Sequence, residues 1–421
     1  MTTRIALLTP GLSADRGAAV ASLLAERFGA EIEIEQLDAE SDEYRAQTVK
    51  ALASDRFAVI LSSVARIDPH VLPQAKAPVI VVSLADAVVG RAADVVATLR
   101  RLGLNASLAV SWDDAVARVR DILGTPILEG KRVLIFAEPF DSATHPAPNL
   151  TYEYIKGRTG VDVQYRPVTE LAKALGDVDE ARARAEMERW LAGASEGLEP
   201  SSATVLECSK LYLALKDFVE RENLAGVSLD CVRHTREGKP ALPHPCLAFS
   251  RLRDEGVAAP CEADVWSMLS ELLLEGVAGK PAFMGNVGEV DLARGTMSLL
   301  HCVVPLRLVG YGTQPVSYGL RHYHDLGRGV SLEVAFPSDT EVTLGQFAKD
   351  LRTFSIWPGT IVDTGSGACR SRATIRIPDS ERFLRSLPSC HYVMVYGRYA
   401  SEIAGILARL NVQTVGPMLY Q

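Results

Sequence analysis

Short apolar runs alternate with stretches of helical periodicity over the first 124 residues. Residues 4–8, 32–37, 57–62, 78–83 and 107–110 are rich in β-branched and aliphatic side chains, whereas apolar positions recur at helical spacing over 14–28, 44–54, 92–102 and 112–123. Such alternation predicts βαβ units and an open parallel sheet covered on both faces, a doubly wound α/β domain. After Gly130 the alternation resumes, with strands predicted at 131–136, 161–165 and 226–231 and helices at 152–158, 179–191 and 202–223, followed by a turn-rich loop over 233–245.

Residues 260–301 combine several signals. A loop carrying Glu262 and Asp264 hands over to an apolar helix-like run ending at Leu274, and after Pro281 a strand-like run leads to His301. Beyond Gly295 the texture changes to strand-like segments at 297–305, 316–319, 329–336, 361–364, 372–377 and 392–396, with helical patterns only at 344–351, 380–387 and 401–410. These segments predict a mixed, mainly antiparallel, barrel-like domain. Three domains are expected: an N-terminal α/β domain at 1–127, a central α/β domain at 128–290 and a β-rich domain at 291–421.

The length of 421 residues exceeds what one core usually supports, and 48% hydrophobic against 23% charged residues argues for a folded interior. The net charge of -8 without a long basic run argues against nucleic acid and against an anionic membrane as partner. The N-terminus enters a strand without the pattern of a signal peptide, and no apolar run approaches a membrane span, so a cytoplasmic protein is expected. Seven cysteines without a CxxC pair fit reduced thiols better than disulfides or structural zinc. The turn after the first strand, Thr9 to Ser13, lacks the GxGxxG spacing that a dinucleotide pyrophosphate needs, so a nicotinamide cofactor is not expected.

Carboxylates at one element boundary and a histidine at the next suit a divalent-cation or acid–base site. On that ground Glu262, Asp264 and His301 are candidates, with helix capping as the alternative role of Asp264. Loops at the carboxyl ends of strands add Glu138 and His145, and turn-rich loops add His234, His244, His322, His324 and His391. Arg321, Arg370 or Arg372 in a pocket would favour an anionic substrate through bidentate pairing, with surface solvation as the alternative. Gly365-Ser366-Gly367 reads as an amide nest for an anion or as a plain turn, and Cys261 as a buried structural thiol.

Four segments in order, Pro-Cys-Glu-Ala-Asp-Val at 260–265, Pro-Ala-Phe-Met-Gly-Asn at 281–286, Leu-Leu-His-Cys at 299–302 and Ser-Cys-His-Tyr-Val-Met-Val-Tyr-Gly at 389–397, together resemble the L-fucose isomerase and L-arabinose isomerase superfamily, in particular its shorter fucose-isomerase-like members. The resemblance covers most of the chain. It implies an aldose–ketose isomerase that acts through an enediol and holds Mn2+ or another divalent cation between its second and third domains. It further implies that Glu262 binds metal and exchanges a proton, that His391 and His301 are ligands, and that the protein is a homo-oligomer acting on a sugar, sugar acid or sugar phosphate.

One position departs from the family pattern: Asn286 stands where the family carries an acidic residue. An amide oxygen can ligate a metal but cannot take a proton as a carboxylate does. Asp264 or Glu289 would then replace the missing group, or the chain performs a different reaction such as epimerisation or lyase cleavage of a sugar derivative. The remaining alternative is a catalytically silent carbohydrate-binding protein on the same scaffold.

Overall fold

The computed structural model describes residues 3–8, 15, 18–19, 21–22, 32–37, 57–62, 79–83, 89–101, 106–112 and 114–115 of the N-terminal part, and 127–137, 152–195, 198–232, 242–325, 327–367, 369–410 and 412–417 thereafter. The chain divides into two compact units, Met1–Thr125 and Pro126–Gln421.

In the first unit, β1 (Thr3–Leu8), β2 (Ile32–Leu37), β3 (Phe57–Ser62), β4 (Val79–Val82) and β5 (Ala106–Ala109) form an all-parallel sheet in the order β2-β1-β3-β4-β5. One helix, α1 (Val89–Arg101), connects β4 to β5 as a βαβ crossover. All four residues of β4 are buried, as expected for an inner strand covered on both faces. Helices expected over 14–28, 44–54 and 112–123 lie largely outside the described residues, as do Glu138, His145 and His234.

The second unit begins with another parallel sheet. Its strands are β6 (Arg132–Phe136), β7 (Asp162–Arg166) and β8 (Gly226–Leu229), in the order β7-β6-β8. Helices α2 (Tyr152–Thr159), α3 (Val168–Gly176), α4 (Glu180–Gly193) and α5 (Ser202–Glu222) lie between them in sequence. Two further helices follow, α6 (Cys246–Asp254) and α7 (Val265–Ala278). Sequence reading missed α3 and α6. Each has only nine residues, and every residue of α6 except Arg251 is buried, so no exposed polar stripe marks it.

The rest of the second unit is the barrel. Strands β9 (Phe283–Asp291), β10 (Thr296–His301), β11 (Tyr318–Arg321), β12 (Ser331–Val334), β13 (Thr340–Phe347), β14 (Thr353–Gly365), β15 (Ser371–Arg376), β16 (His391–Tyr396) and β17 (Gln413–Val415) are joined by α8 (Ser380–Arg385) and α9 (Ala400–Arg409). The order β13-β16-β9-β10-β15-β14 closes through pairing of β13 with β14, which makes a six-stranded antiparallel barrel; β11 and β12 form a separate hairpin and β17 adds in parallel to β14. The domain boundary expected at 290 falls inside β9.

The helix expected at 344–351 is instead the second half of β13 and the turn after it. Leu344, Phe347, Ala348 and Leu351 happen to repeat at helical spacing, but every residue from Val342 to Phe347 is buried, so the two-residue alternation of a strand is erased. One side of β13 faces the barrel core and α7 packs on the strand, which accounts for burial on both faces. No described helix is long and apolar enough to cross a membrane.

Candidate active site

The parallel sheet and the barrel each deliver part of one site. Residues 258–261 run beside β8, with parallel bridges at Gly226–Ala258 and Leu229–Cys261, and the Ser228 hydroxyl donates to the Pro260 carbonyl at 2.6 Å. Glu262 is therefore at the carboxyl end of a fourth, rudimentary strand, the position where parallel α/β sheets present ligand-binding groups. Both Glu262 (φ 65°) and Ala263 (φ 53°) are left-handed, a conformation that costs a residue with a Cβ on the order of 1 kcal/mol. The reversal they make lets α7 start at once and leaves the Glu262 carboxylate 26% exposed.

On the barrel side, His391 opens β16, His301 closes β10, and β9 runs between them. The register pairs Asn286 with His391 on one side and with Leu300 on the other. Three neighbouring strands thus bring the two histidines and Asn286 to one end of the barrel. One carboxylate oxygen of Glu262, one nitrogen of His301 and one nitrogen of His391 lie within 4.8 Å of one another. Glu262 Oε1 is 3.9 Å from His301 Nε2 and Oε2 is 3.8 Å from His391 Nε2, so the carboxylate faces both rings without hydrogen-bonding either at close range.

Each ring is held from behind. His391 is 1% exposed and donates from Nδ1 to Asp264 Oδ2 at 2.8 Å. Asp264, itself 2% exposed, is the N-cap of α7: Oδ1 accepts from the Trp266 and Ser267 backbone N–H groups at 3.0 and 3.1 Å, and Oδ2 accepts from the Ser267 hydroxyl at 2.7 Å. Burial opposes its charge, but His391 and Ser267 hold its carboxyl below the usual range. Burial likewise opposes charge on His391, and the hydrogen bond to Asp264 outweighs it and raises the imidazole to about 10. His301 has Cys302 Sγ 3.6 Å from Nδ1, and burial, then His391, pushes its pKa well down, which keeps the ring neutral. The Nε2 atom of His391 is buried without a hydrogen-bond partner.

A cavity of about 170 Å³ opens onto Glu262, His301 and Asn286. Its remaining wall includes His244, Tyr323 and His324 and five of the seven cysteines: Cys231, Cys246, Cys261, Cys302 and Cys369. Cys246 and Cys302 approach to 3.5 Å between sulfurs, and burial raises the Cys261 thiol far above its ordinary range, so Cys261 is the inert thiol expected. His244 is 7% exposed, its Nε2 has no protein partner, and burial, followed by Arg328 and His324, lowers its pKa to about 4. It therefore stays neutral.

The arginines are used elsewhere. Arg321 pairs with Glu199 at 3.2 Å and Glu333 at 2.5 Å, Arg370 reaches Glu199 at 3.4 Å, and neither these nor Arg372 are among the described residues lining the cavity. Glu289 is exposed and lies outside the cavity wall, so it does not supply the missing acid. The contributions of Tyr323 and Cys369 were not legible in the sequence, where nothing links either residue to the quoted motifs; Cys302 was visible only as the neighbour of His301.

No protein-family model matches the chain. Among curated proteins it is similar to the sulfoquinovose isomerase of Clostridium sp. (strain MSTE9), 23% identical over 267 residues that cover 61% of this chain and 58% of the relative. The sulfoquinovose isomerase of Priestia aryabhattai is 23% identical over 268 residues, 62% of this chain and 59% of the relative. That of Alkalicoccus urumqiensis is 26% identical over 136 residues, 30% of each chain. The chain thus matches about three fifths of the length of the longer-matched relatives.

Proposed function

We propose that the chain is a divalent-metal-dependent aldose–ketose isomerase acting on a sugar or sugar derivative. The observation that carries the reading is the convergence of Glu262, His301 and His391 within 4.8 Å of one another, the first two on the cavity wall, backed by similarity to proteins named as isomerases. One carboxylate oxygen and two imidazole nitrogens suit Mn2+ or a neighbouring ion, and the buried, unpartnered Nε2 of His391 would take a cation in exchange for its proton. Such an ion, when bound, would supply Lewis-acid polarisation of two adjacent substrate oxygens.

The chain's residues do the rest. Glu262, partly exposed at the cavity, is the base that takes the proton from one carbon and returns it to the next. His301 and His391 would hold the ion from the barrel, and Asn286, which lines the cavity and pairs with His391 in register, would add a neutral amide donor. Asp264 has both oxygens engaged and does not line the cavity, so its part is to orient His391 rather than to move protons. His244 Nε2–H orients a substrate oxygen.

Asn286 favours one second reading, a carbohydrate-binding protein without turnover, since the position lacks a proton-accepting group. Elemental analysis of wild type beside Glu262→Gln and His391→Ala, with NMR of sulfoquinovose, D-glucose, D-mannose, L-fucose and L-arabinose in the presence of Mn2+, tests both. Near-stoichiometric ion in wild type, its loss in both variants and conversion of at least one sugar to its ketose support the isomerase. Sugar binding by calorimetry without conversion supports the silent binder, and failure to hold Mn2+ overturns the metal site.

A further inference from the structure

Moving a proton between two carbons does not complete an aldose–ketose conversion. The hydroxyl proton on the carbon that becomes the ketone must also leave, and the aldehyde oxygen must gain one. Glu262 is occupied at carbon, so a second group has to serve the oxygens. The cavity wall limits the choice. His301 and His391 turn Nε2 toward Glu262, with Nδ1 set against Cys302 and Asp264. Asp264 is enclosed. His244 is held neutral by burial and accepts a proton poorly. Burial pushes the Tyr323 hydroxyl up, and burial followed by Glu262 pushes the Cys369 thiol up.

Among the described residues, His324 is the one imidazole of that wall left without a part. Its backbone is left-handed (φ 46°) within the short 3-10 turn Tyr323–Asp325, a conformation uncommon for residues with a Cβ though less so for histidine than for most. The ring stacks on Tyr323 at 4.1 Å, and Nε2 lies 3.4 Å from Cys369 Sγ. The two loops that meet in this contact are fastened to each other. Glu199 accepts from the His322 backbone N–H at 2.8 Å and pairs with Arg321 and Arg370, while Arg370 Nε donates to the His322 carbonyl at 3.0 Å. Arg370, like His324, is left-handed (φ 62°). Two left-handed residues and a three-way ion network thus set one imidazole against one thiol at the cavity.

We infer that His324 is a second catalytic residue of this site, the group that carries the hydroxyl proton from one substrate oxygen to the other. The inference rests on the isomerase reading above. In the aldose-to-ketose direction the O2–H bond breaks as His324 accepts the proton, the O1–H bond forms as His324 returns it, and the C2–H proton passes through Glu262 to C1. His324 and Glu262 each end in the state in which they began, with no other reactant needed. Cys369 is a positioning residue that holds the ring.

The test separates the two proton paths. Sugars of the panel above, deuterated at C2, are incubated with Mn2+-loaded wild type, His324→Gly and His324→Asn, and both loss of deuterium to solvent and ketose formation are followed by NMR. Glycine and asparagine tolerate the left-handed backbone, so both variants keep the turn. The expected result is deuterium loss within about threefold of wild type but ketose formation reduced ~100-fold or more, with added imidazole restoring product in His324→Gly and Mn2+ content unchanged. Ketose formation that stays within about threefold of wild type, or that falls in step with deuterium loss without imidazole rescue, overturns the assignment. Wild type that neither exchanges deuterium nor forms ketose overturns the isomerase reading itself, and the role of His324 falls with it. Should the His324 variants not fold, Cys369→Ser serves instead: a several-fold loss of ketose at unchanged exchange supports the assignment, and no change overturns it.

Discussion

His391 Nδ1 and Asp264 Oδ2 lie 2.8 Å apart and join the first residue of β16 to the N-cap of α7. One carboxylate therefore starts a helix, accepts from two of its otherwise unpaired N–H groups, and fixes which nitrogen of His391 faces Glu262. Helix start and imidazole orientation are a single device.

Asp264→Asn separates these two duties. The amide oxygen still caps α7, so the thermal midpoint should move by only a few degrees. The charge beside His391 is gone, and Mn2+ affinity should fall ~10–100-fold. Asp264→Ala should lose the cap as well, at a further cost of about 1 kcal/mol. Calorimetric Mn2+ titration and thermal unfolding of the two variants measure the two effects independently.

Asn286→Asp places a carboxylate opposite His391 on the neighbouring strand. Extra ligand charge should tighten Mn2+ binding by about tenfold. With the oxygen protons carried by another group, ketose formation should change by no more than about threefold. A large gain in turnover would show that the native amide limits the chemistry. Mn2+ electron paramagnetic resonance and steady-state kinetics give both numbers.

A second buried network ties the site together. Arg253, fully buried, donates to the Val303 carbonyl at 3.3 Å and pairs with Glu271, whose other oxygen accepts from the Ala259 N–H at 2.9 Å. Val303 lies two residues past His301 and Ala259 three before Glu262, so the pair links the segments that carry these two residues. Arg253→Met would leave Glu271 buried without its partner, and the expected loss is about 3–5 kcal/mol by chemical denaturation.

Glu275 gives the fold a pH dependence. Burial, then the like charge of Glu271, raises its carboxyl to about 8 from the ordinary 4.5. The folded chain holds this proton between those values while the unfolded chain has released it, so stability falls as pH rises from about 4.5 to about 8. Glu275→Gln keeps an oxygen to accept from the Ala282 N–H and removes the ionisation. Its thermal midpoint should exceed that of wild type at pH 8 by a few degrees and converge with it near pH 5.

Gly329 has φ 63°, and a Cβ there would sit 2.4 Å from His244 Nδ1. Gly329→Ala should displace the His244 ring and cost about 1–2 kcal/mol of stability. Because His244 lines the cavity and is not one of the Glu262, His301 and His391 cluster, KM should rise while Mn2+ affinity stays as in wild type.

How much of this was legible in sequence depends on how local each signal is. Strand and helix periods, the apolar run of α7 and the motifs around Glu262, His301 and His391 are written in neighbouring residues, so the parallel sheets, the barrel-like texture and the three converging side chains could be named from the chain alone. Where burial covers both faces, as in β13 and α6, the period vanishes and the reading fails.

Pairing between distant segments is decided only in three dimensions. Nothing near Asp264 in sequence announces that its partner is His391, 127 residues away, nor that Arg321 and Arg370 share Glu199, nor that Cys369 meets His324. The chain itself determined which residues have the chemistry. Barrel closure and the register of β9, β10 and β16 decided which of them meet, because hydrogen-bond geometry and burial act on atoms brought together in space regardless of their distance along the chain.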